Sequence, residues 1–281
     1  MSRRVTFHKY FNEELRTRRR GILVKQKVKE KYKFEMIDYD GNAININDLA
    51  NEYSQSSLTA KLAIREASMI ENVIIEDDAT IEDATKGEIS FVLPEEVRKD
   101  SAVYHAELGL LGDNGEDLFA VNSLYIYVEP TNWTSVERTL PRLDEIRLSL
   151  KDSSFVENEL LGNYEFDVAE ISYAVTRTVQ YWNETPPDVT RYSTKNFPFK
   201  NIWLVGTQLF LFEALEEHYR RNQLPYNAGG LTIDDKNKFQ FYRAAWQDRF
   251  NRFARDVHLQ KVRINTSSMA SLYGPATLYQ F

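Results

Sequence analysis

The stretch GEISFVLPEEVRKDSAVYHAELGLLGDNGEDLFAVNSLYIYVEP, residues 87–130, decides the fold of the first half of this chain. Apolar and polar residues alternate at period two within residues 87–94 and again within residues 103–111. The sequence GDNGED at residues 112–117 supplies a turn, and Pro130 ends the last apolar run because proline cannot donate to a β-ladder. Alternation bounded by turns predicts antiparallel β-strands.

The same pattern extends toward the N-terminus. Residues 22–28 and 32–37 alternate like strands, and DYDGNA at residues 38–43 supplies the turn of a hairpin. Two further apolar runs lie between residues 57 and 75. Several short strands, with no helix predicted between them, favour an antiparallel β-sandwich over residues 21–130.

The order of these segments resembles the immunoglobulin-like N-terminal domain of upper baseplate proteins from tailed bacteriophages. In that family a glycine opens a strand ending in Leu-Pro, an aromatic-Ala-Glu-Leu strand follows, and an Asp-Gly hairpin leads to an aromatic-Val strand. The matching residues here are Gly87, Leu93, Pro94, Tyr104, Ala106, Glu107, Leu108, Asp113, Gly115, Tyr127 and Val128. The chain departs from the family in its charged N-terminal arm and in Ser101, where such domains often place a glycine. The resemblance covers residues 20–130 and implies an immunoglobulin-like sandwich in a phage virion.

After residue 130 the apolar residues recur every three or four positions, which is the spacing of a helix. Residues 143–150 and 155–162 predict short helices, and residues 166–184 predict a longer one with Asp167 as its N-cap and Glu170 three positions on. Residues 203–224 are apolar nearly all round in their first turns, so they predict a central buried helix.

A loop with Gly229 and Gly230 predicts a sharp reversal into a second long helix, residues 234–258, paired antiparallel with the first. The rings predicted to be buried along it are Phe239, Tyr242, Trp246, Phe250 and Phe253. Residues 143–265 together resemble helical modules of structural proteins at the neck or baseplate of tailed phages. Loop-borne rings are typical of subunit interfaces, and here they are Tyr181, Trp182, Tyr192, Phe197, Phe199 and Tyr226.

The predicted fold class is α+β, an antiparallel immunoglobulin-like β-sandwich followed by a mainly α-helical module. The predicted division is a basic arm (1–20), the sandwich (21–130), a linker (131–150), the helical domain (151–265) and a tail (266–281). We expect the tail to be loose in isolation and to bind an adjacent subunit.

Composition excludes several classes of protein. Of the 281 residues 42% are hydrophobic, so the chain can bury one or two compact cores. It has no cysteine, which excludes disulfides and thiolate chemistry and fits assembly in the bacterial cytoplasm. No apolar run reaches the roughly 18 residues of a membrane span. We therefore expect a soluble protein without membrane contact or targeting signal.

Charge is distributed unevenly along the chain. Residues 1–31 contain 11 Lys or Arg and 3 acidic residues, a net charge of +8, whereas the whole chain has −7, which leaves −15 for the remainder. Arg16, Arg18, Arg19 and Arg20 form the densest part of this arm. The arm is predicted to bind a protein neighbour, such as the acidic surface of another copy. Contact with DNA phosphates is the less favoured alternative, because the acidic body repels a polyanion.

No pattern of residues predicts catalysis, a cofactor or a metal site. The four histidines, His8, His105, His218 and His258, lack the spacing of paired ligands. The neighbouring carboxylates Glu216 and Glu217, and likewise Asp234 and Asp235, would point in different directions on a helix. The acidic cluster is interpreted as a solvated loop rather than a calcium site; it consists of Glu76, Asp77, Asp78, Glu82 and Asp83.

The sequence therefore predicts a non-enzymatic virion component, a homo-oligomeric ring at the neck or connector or a tail adaptor that joins neighbouring portal, tail or fibre proteins. The predicted interface residues are Arg16, Arg18, Arg19, Arg20, Tyr226, Gly229, Gly230, Tyr273, Tyr279 and Phe281. A baseplate component is one alternative. A carbohydrate- or receptor-binding module is another, for which exposed rings among Tyr53, Tyr104, Tyr125 and Tyr127 would be needed.

Overall fold

The computed structural model of the protein contains a curled β-sheet followed by a layer of helices, and the predicted class α+β is confirmed. The described residues are 6–9, 21–37, 42–68, 75–115, 117–131, 140–152, 164–188, 190–221, 226–228, 231–233 and 238–273. For residues 6–9, 117–123, 226–228, 231–233, 238–239 and 268–273 only the backbone is described.

Eight strands form the sheet. In chain order they are β1 (Thr6–Lys9), β2 (Gly21–Lys25), β3 (Lys31–Ile37), β4 (Thr59–Glu66), β5 (Ile75–Asp83), β6 (Glu88–Val92), β7 (Ala102–Leu111) and β8 (Asp117–Glu129). Their spatial order is β1-β3-β6-β5-β4-β7-β8-β2. The predicted turn between β7 and β8 is present, with Gly115 at φ +73°. That conformation favours glycine.

The structure corrects the antiparallel sandwich in two respects. β2 pairs with β8 in parallel, with Gly21 opposite Tyr125, so the sheet is mixed. The strands also form one continuous sheet, because the first half of β5 pairs with β4 and its second half pairs with β6. A register shift between Ile81 and Asp83 accompanies this change of partner. Such irregularities increase local twist, which helps the sheet to curl.

One face of the curled sheet encloses the first hydrophobic core. Phe34 of β3 stacks on Phe91 of β6 with 5.2 Å between ring centroids. Leu62 and Ile64 of β4 and Ile126 of β8 belong to the same buried cluster. The two arms of the sheet therefore share a single core, which stabilises the curl.

Part of the predicted arm and two unpredicted helices complete this half. β1 pairs antiparallel with β3, so residues 6–9 belong to the sheet and not to a free arm. Two short helices, α1 (Ile46–Glu52) and α2 (Glu95–Lys99), lie between strands where the sequence predicted none. Leu49 of α1 and Val97 of α2 are buried in the first core, which accounts for both helices.

The helical layer consists of α3 (Leu143–Leu150), α4 (Val168–Glu184), α5 (Lys200–Arg221) and α6 (Lys238–Tyr273). α3 has the predicted bounds, and α4 begins with the predicted capping box. The side chain of Asp167 accepts a hydrogen bond from the N–H of Glu170, and the Glu170 side chain accepts one from the N–H of Asp167. The predicted helix over residues 155–162 lies outside the described residues.

α5 lies at the centre of the layer, between α4 and α6, as predicted for residues 203–224. Trp203 Nε1 donates a hydrogen bond of 3.0 Å to the carbonyl of Val175 in α4. Gly206 has no room for a side chain, since an added Cβ would overlap Thr178 of α4 and lie 2.9 Å from Phe253 of α6. The missing side chain therefore lets three helices meet.

A buried ion pair fixes the end of α3 to the start of α4. Arg147 Nη1 lies 2.7 Å from Asp152 Oδ2, and both side chains are buried. Arg147 Nη2 also donates to the carbonyl of Phe166 at 2.9 Å. Burial lowers the pKa of Arg147 while Asp152 opposes this shift. The hydrogen bonds satisfy a charge that would otherwise be costly to bury.

Several rings that were predicted to lie at subunit interfaces pack in or against the core of the helical layer. Trp182 and Phe197 are fully buried, and Tyr192 and Phe199 pack against Trp182 with centroid distances of 6.1 and 4.7 Å. Tyr181 packs on Phe253 at 5.2 Å. The interface prediction is wrong for Trp182 and Phe197, because the segment between α4 and α5 folds back onto the helices. Tyr181, Tyr192 and Phe199 are partly buried, and for them the interface stays a prediction.

α6 is longer than predicted, 36 residues that continue into the segment expected to be a loose tail. Tyr242 stacks on Tyr219 near the end of α5, and Phe253 lies near Gly206, so the two helices are antiparallel as predicted. Of the rings predicted to be buried, Phe253 is buried. Tyr242, Trp246 and Phe250 are partly buried. The structure does not describe the side chain of Phe239. None of the helices in the described part of the chain combines the length and the apolar character that a membrane span needs.

Candidate interaction surfaces

The helical layer packs on the outer face of β7 and β8, where Val103 and Tyr127 join the second hydrophobic core. The Tyr127 hydroxyl donates a hydrogen bond of 2.5 Å to the carbonyl of Pro141. Burial raises the pKa of Tyr127 well above its ordinary value. Glu129, two residues on, accepts a hydrogen bond of 3.1 Å from the N–H of Leu143 at the start of α3. The end of β8 thus holds the first helix of the layer.

A second set of buried polar contacts joins β4 and β7 to the segment before α5. The N–H of Val103 donates to Thr194 Oγ1 at 3.1 Å, and Thr194 Oγ1 lies 3.3 Å from Glu66 Oε1. The N–H of Thr194 donates to Ser68 Oγ at 3.0 Å. Lys195 Nζ lies 3.6 Å from Glu66 Oε2. Such a network specifies how the two halves fit together.

Backbones also meet directly at this boundary. An added Cβ on Gly21, the first residue of β2, would lie 2.5 Å from the backbone nitrogen of Ala169 in α4. The glycine therefore permits the first turn of α4 to rest on the edge strand. With the hydrogen bonds at Tyr127 and Thr194, this contact makes the sheet and the helices one packed unit.

Most of the predicted interface residues lie outside the described part of the chain, namely Arg16, Arg18, Arg19, Arg20, Gly229, Gly230, Tyr279 and Phe281. Tyr226 belongs to a strand, β9 (Tyr226–Ala228), which pairs antiparallel with β10 (Leu231–Ile233), and Tyr273 is the last residue of α6. Ala228 stands opposite Leu231 in this pairing. The structure does not describe the side chains of Tyr226 and Tyr273, so all ten interface assignments stay predictions.

The surface of α6 that faces away from α5 exposes apolar side chains that the sequence pattern did not predict to be exposed. Phe241, Leu259 and Val262 expose 75%, 57% and 40% of their area there, although large apolar side chains are usually buried. Seven Lys or Arg and two Asp make the helix basic, with a net charge of +5. The signal in the sequence is a second apolar spacing along the helix, which the stronger spacing of the buried aromatic rings concealed.

A small polar cluster lies on the outer face of the sheet beside the helices. Arg65 contacts Glu107 in an ion pair, and Arg65 Nε lies 3.4 Å from His105 Nδ1. The His105 ring meets Tyr125 edge-on at 5.3 Å. Burial and, after it, the Arg65 cation lower the pKa of His105, and Glu107 partly opposes them. The contacts of His105 explain its position without a ligand.

Several of the carboxylates considered for catalysis or metal binding have structural partners. Glu217 forms ion pairs of 2.5 Å with both Arg220 and Arg221. The acidic cluster is not a loop but lies on β5, where Glu82 contacts Lys31 at 2.6 Å and accepts a hydrogen bond from Ser90. Within the described ranges, no group of three His, Cys, Asp or Glu residues is arranged to hold a metal ion. Asp234 and Asp235 lie outside these ranges.

The tyrosines proposed as a glycan platform do not form one. Tyr104 and Tyr127 expose 2% and 0% of their area, and Tyr125 is partly buried against the helices. Tyr53 is exposed, but it belongs to the end of α1 and not to the same surface. Stacking on a sugar requires accessible ring faces, so these four residues do not favour carbohydrate binding.

Most of the sheet is similar in sequence to a known protein family. Residues 26–137 match the model of the BppU N-terminal domain, that of phage upper baseplate proteins. This region is therefore similar to a phage baseplate domain. The resemblance predicted over residues 20–130 is thereby confirmed, and the BppU N-terminal domain belongs to a structural family of the baseplate. The match ends before α3, so the resemblance of residues 143–265 to a phage helical module stays a prediction.

Solved structures show weaker similarity to part of the chain. The N-terminal domain of phage TP901-1 ORF48 is 12% identical and covers 38% of this chain and 83% of its own, with a TM-score of 0.31. Murine CRIg is 8% identical and covers 46% of this chain and 98% of its own, with a TM-score of 0.24. The extracellular domain of BT4673 from B. thetaiotaomicron is 15% identical and covers 46% and 16%, with a TM-score of 0.23. TM-scores this low do not establish a shared fold. No curated protein matches the sequence.

Proposed function

We propose that this protein is a non-enzymatic structural component of a tailed-phage baseplate that is present in several symmetry-related copies. The match of residues 26–137 to the BppU N-terminal domain is the observation that carries the proposal. It favours the baseplate over the neck or connector that the sequence predicts. The protein would then be located in the virion and assembled in the cytoplasm of the bacterial host.

In this proposal the sheet and the helices act as one rigid adaptor. The contacts of Tyr127, Thr194 and Gly21 support it, because they fix the helical layer against the outer face of the sheet. The immunoglobulin-like relationship also belongs to the proposal, and the division of β5 between two arms of the sheet supports it. A rigid adaptor can transmit the position of one neighbour to another, such as a tail or fibre protein.

Copies of the protein would associate through surfaces of opposite charge. Residues 32–131 contain 21 Asp or Glu and 6 Lys or Arg, a net charge of −15, whereas residues 1–31 carry +8. The arginines of the arm, the hairpin around residues 229–230 and the tail with Tyr279 and Phe281 are the proposed contacts between copies. DNA contact by the arm remains the less favoured alternative, since the acidic sheet would repel phosphates.

The proposal is tested by locating the protein in purified phage particles. An antibody raised against the expressed chain, coupled to gold, should label the end of the tail that is distal to the head. Mass spectrometry of the same particles should find the protein in several copies per particle. Label at the head–tail junction would favour the neck instead, and absence from washed particles would contradict a structural role.

A further inference from the structure

The outward face of α6 has an ordered pattern of side chains. At 3.6 residues per turn, the positions opposite the buried Phe253 and Val257 form one stripe along the helix. The stripe consists of Phe241, Ala244, Asp248, Asn251, Arg255, Leu259 and Val262. All seven residues are exposed, and the stripe is about 32 Å long at 1.5 Å per residue.

The two ends of the stripe are alike, and the two sides of its centre carry opposite charges. Phe241 and Ala244 make one end apolar, and Leu259 and Val262 make the other end apolar. Between them lie one acidic and one basic residue, Asp248 and Arg255, at nearly equal distances from Asn251 along the helix. When two such stripes lie antiparallel, apolar residues stand opposite apolar residues and each Asp stands opposite an Arg. The stripe is therefore complementary to a second copy of itself.

We propose that this stripe binds the same stripe of a second copy in an antiparallel helix pair, with Asn251 beside the two-fold axis. Phe241 then faces Val262 of the second copy, and Ala244 faces its Leu259. Asp248 faces Arg255 of the second copy, and the two-fold axis repeats each contact. Such an isologous contact closes after two copies, because the same surface is used on both.

Charge decides the direction of the pair. In a parallel pair at equal height, Asp248 would face Asp248 and Arg255 would face Arg255, and like charges opposed across an interface are unfavourable. The antiparallel pair replaces both repulsions with ion pairs. The contacts that these residues make within their own helix, Asp248 with Arg252 at 2.9 Å and Arg255 with Asp256 at 3.9 Å, are exposed and therefore weak, so they do not oppose the rearrangement.

The self-complementary charges also favour a second copy over an unrelated partner. A second copy in antiparallel orientation presents the complementary order of residues by symmetry. An unrelated partner would present this order only by chance. One helix face is small for a protein interface, so we expect a dimer that dissociates on dilution. The inference rests on the proposed function only in assuming that copies meet in the particle.

The direction of pairing can be measured because the natural chain has no cysteine. Phe241→Cys and Val262→Cys chains, one carrying a size tag, are mixed and treated with a short bis-maleimide. We expect cross-linked heterodimers in the mixture and little cross-linking in either variant alone. Efficient cross-linking of each variant with itself would indicate a parallel pair and overturn the proposal. Leu148→Cys, on an exposed side chain of α3, is the control for random collision.

Charge reversal provides the second measurement, by sedimentation over a range of concentrations. Asp248→Arg and Arg255→Asp should each weaken dimerisation at least tenfold, and the double variant should restore it, since the ion pair is re-formed in the opposite sense. Loss without restoration, or no loss, would overturn the proposal, and so would a natural chain that is monomeric throughout. If particles contain the protein in several copies while these variants assemble normally, the baseplate function stands and the pairing through α6 is wrong.

Discussion

The Tyr127 hydroxyl donates a 2.5 Å hydrogen bond to the carbonyl of Pro141, and this bond joins the last strand of the sheet to the start of the helical layer. Tyr127 is fully buried, and Pro141 is buried with it. Tyr127 lies within the region that matches the BppU N-terminal domain, and Pro141 lies just beyond residue 137, where the match ends. The matched region is therefore fixed to the rest of the chain by its own last strand.

Removing this hydroxyl should loosen the boundary. Tyr127→Phe keeps the ring but leaves a buried carbonyl without its donor, which should cost about 1–3 kcal/mol in the free energy of unfolding. Urea unfolding followed by tryptophan fluorescence measures the change. Tyr125→Phe, on the same strand but only partly buried, is the matched control and should cost less. Equal effects of the two substitutions would contradict the importance of the Pro141 contact.

Gly206 should be intolerant of even a methyl group. Gly206→Ala gains about 1 kcal/mol of helix propensity, but the added Cβ overlaps Thr178 and crowds Phe253, so we expect a net loss of roughly 1–3 kcal/mol. Thr178→Ala removes the overlapping atoms. In a double-mutant cycle the pair should cost clearly less than the sum of the single substitutions. Additive costs would mean that the two residues do not limit each other.

Lys261 should make stability depend on pH in a specific direction. Its side chain is buried and donates a hydrogen bond to the carbonyl of Thr185, and burial lowers its pKa from 10.5. A lowered pKa in the folded state means that the charged amine is disfavoured there, and this penalty is relieved as pH rises from the folded-state pKa toward 10.5. The natural chain should therefore gain stability relative to Lys261→Met as pH increases. Unfolding of both proteins between neutral pH and pH 10 checks this, and a constant difference would refute it.

Deleting residues 267–281 should prevent entry into the particle without unfolding the monomer. Ile264 is the last residue of α6 that packs on the helical core in the described part of the chain, so the deletion leaves the core contacts in place. The truncated chain should keep the thermal unfolding temperature of the full chain and fail to enter particles. Truncated protein that still enters particles in normal amounts would show that the tail is not an interface.

Features encoded within a few residues could be predicted from the sequence. The capping box of Asp167 and Glu170, the turn before β8 and the spacing of α4 are local, so they were predicted correctly. The parallel pairing of β2 with β8 could not be predicted, because about a hundred residues separate strands whose alternation is the same in either direction. The acidic residues of β5 predict a loop, because Asp and Glu are rare in strands.

The surfaces were harder to predict than the elements. Trp182 and Phe197 lie at the end of a helix and in a connection, where rings suggest an interface, yet the connection folds back and buries both. Phe241 and Leu259 lie on a helix in which the buried rings form the stronger apolar pattern. Their exposure depends on how α6 packs on α5, which the sequence of α6 alone does not show. Burial depends on which elements meet, and the sequence pattern of one element does not contain that information.

The central claim is that this chain builds a baseplate by contact between copies and neighbours. Cryo-electron microscopy of the intact particle tests it most directly. We predict density for the curled sheet in several symmetry-related positions at the distal end of the tail, with helices of neighbouring copies in contact. Particles whose baseplate contains no such density, or in which the protein occurs as a single isolated copy, would contradict the account.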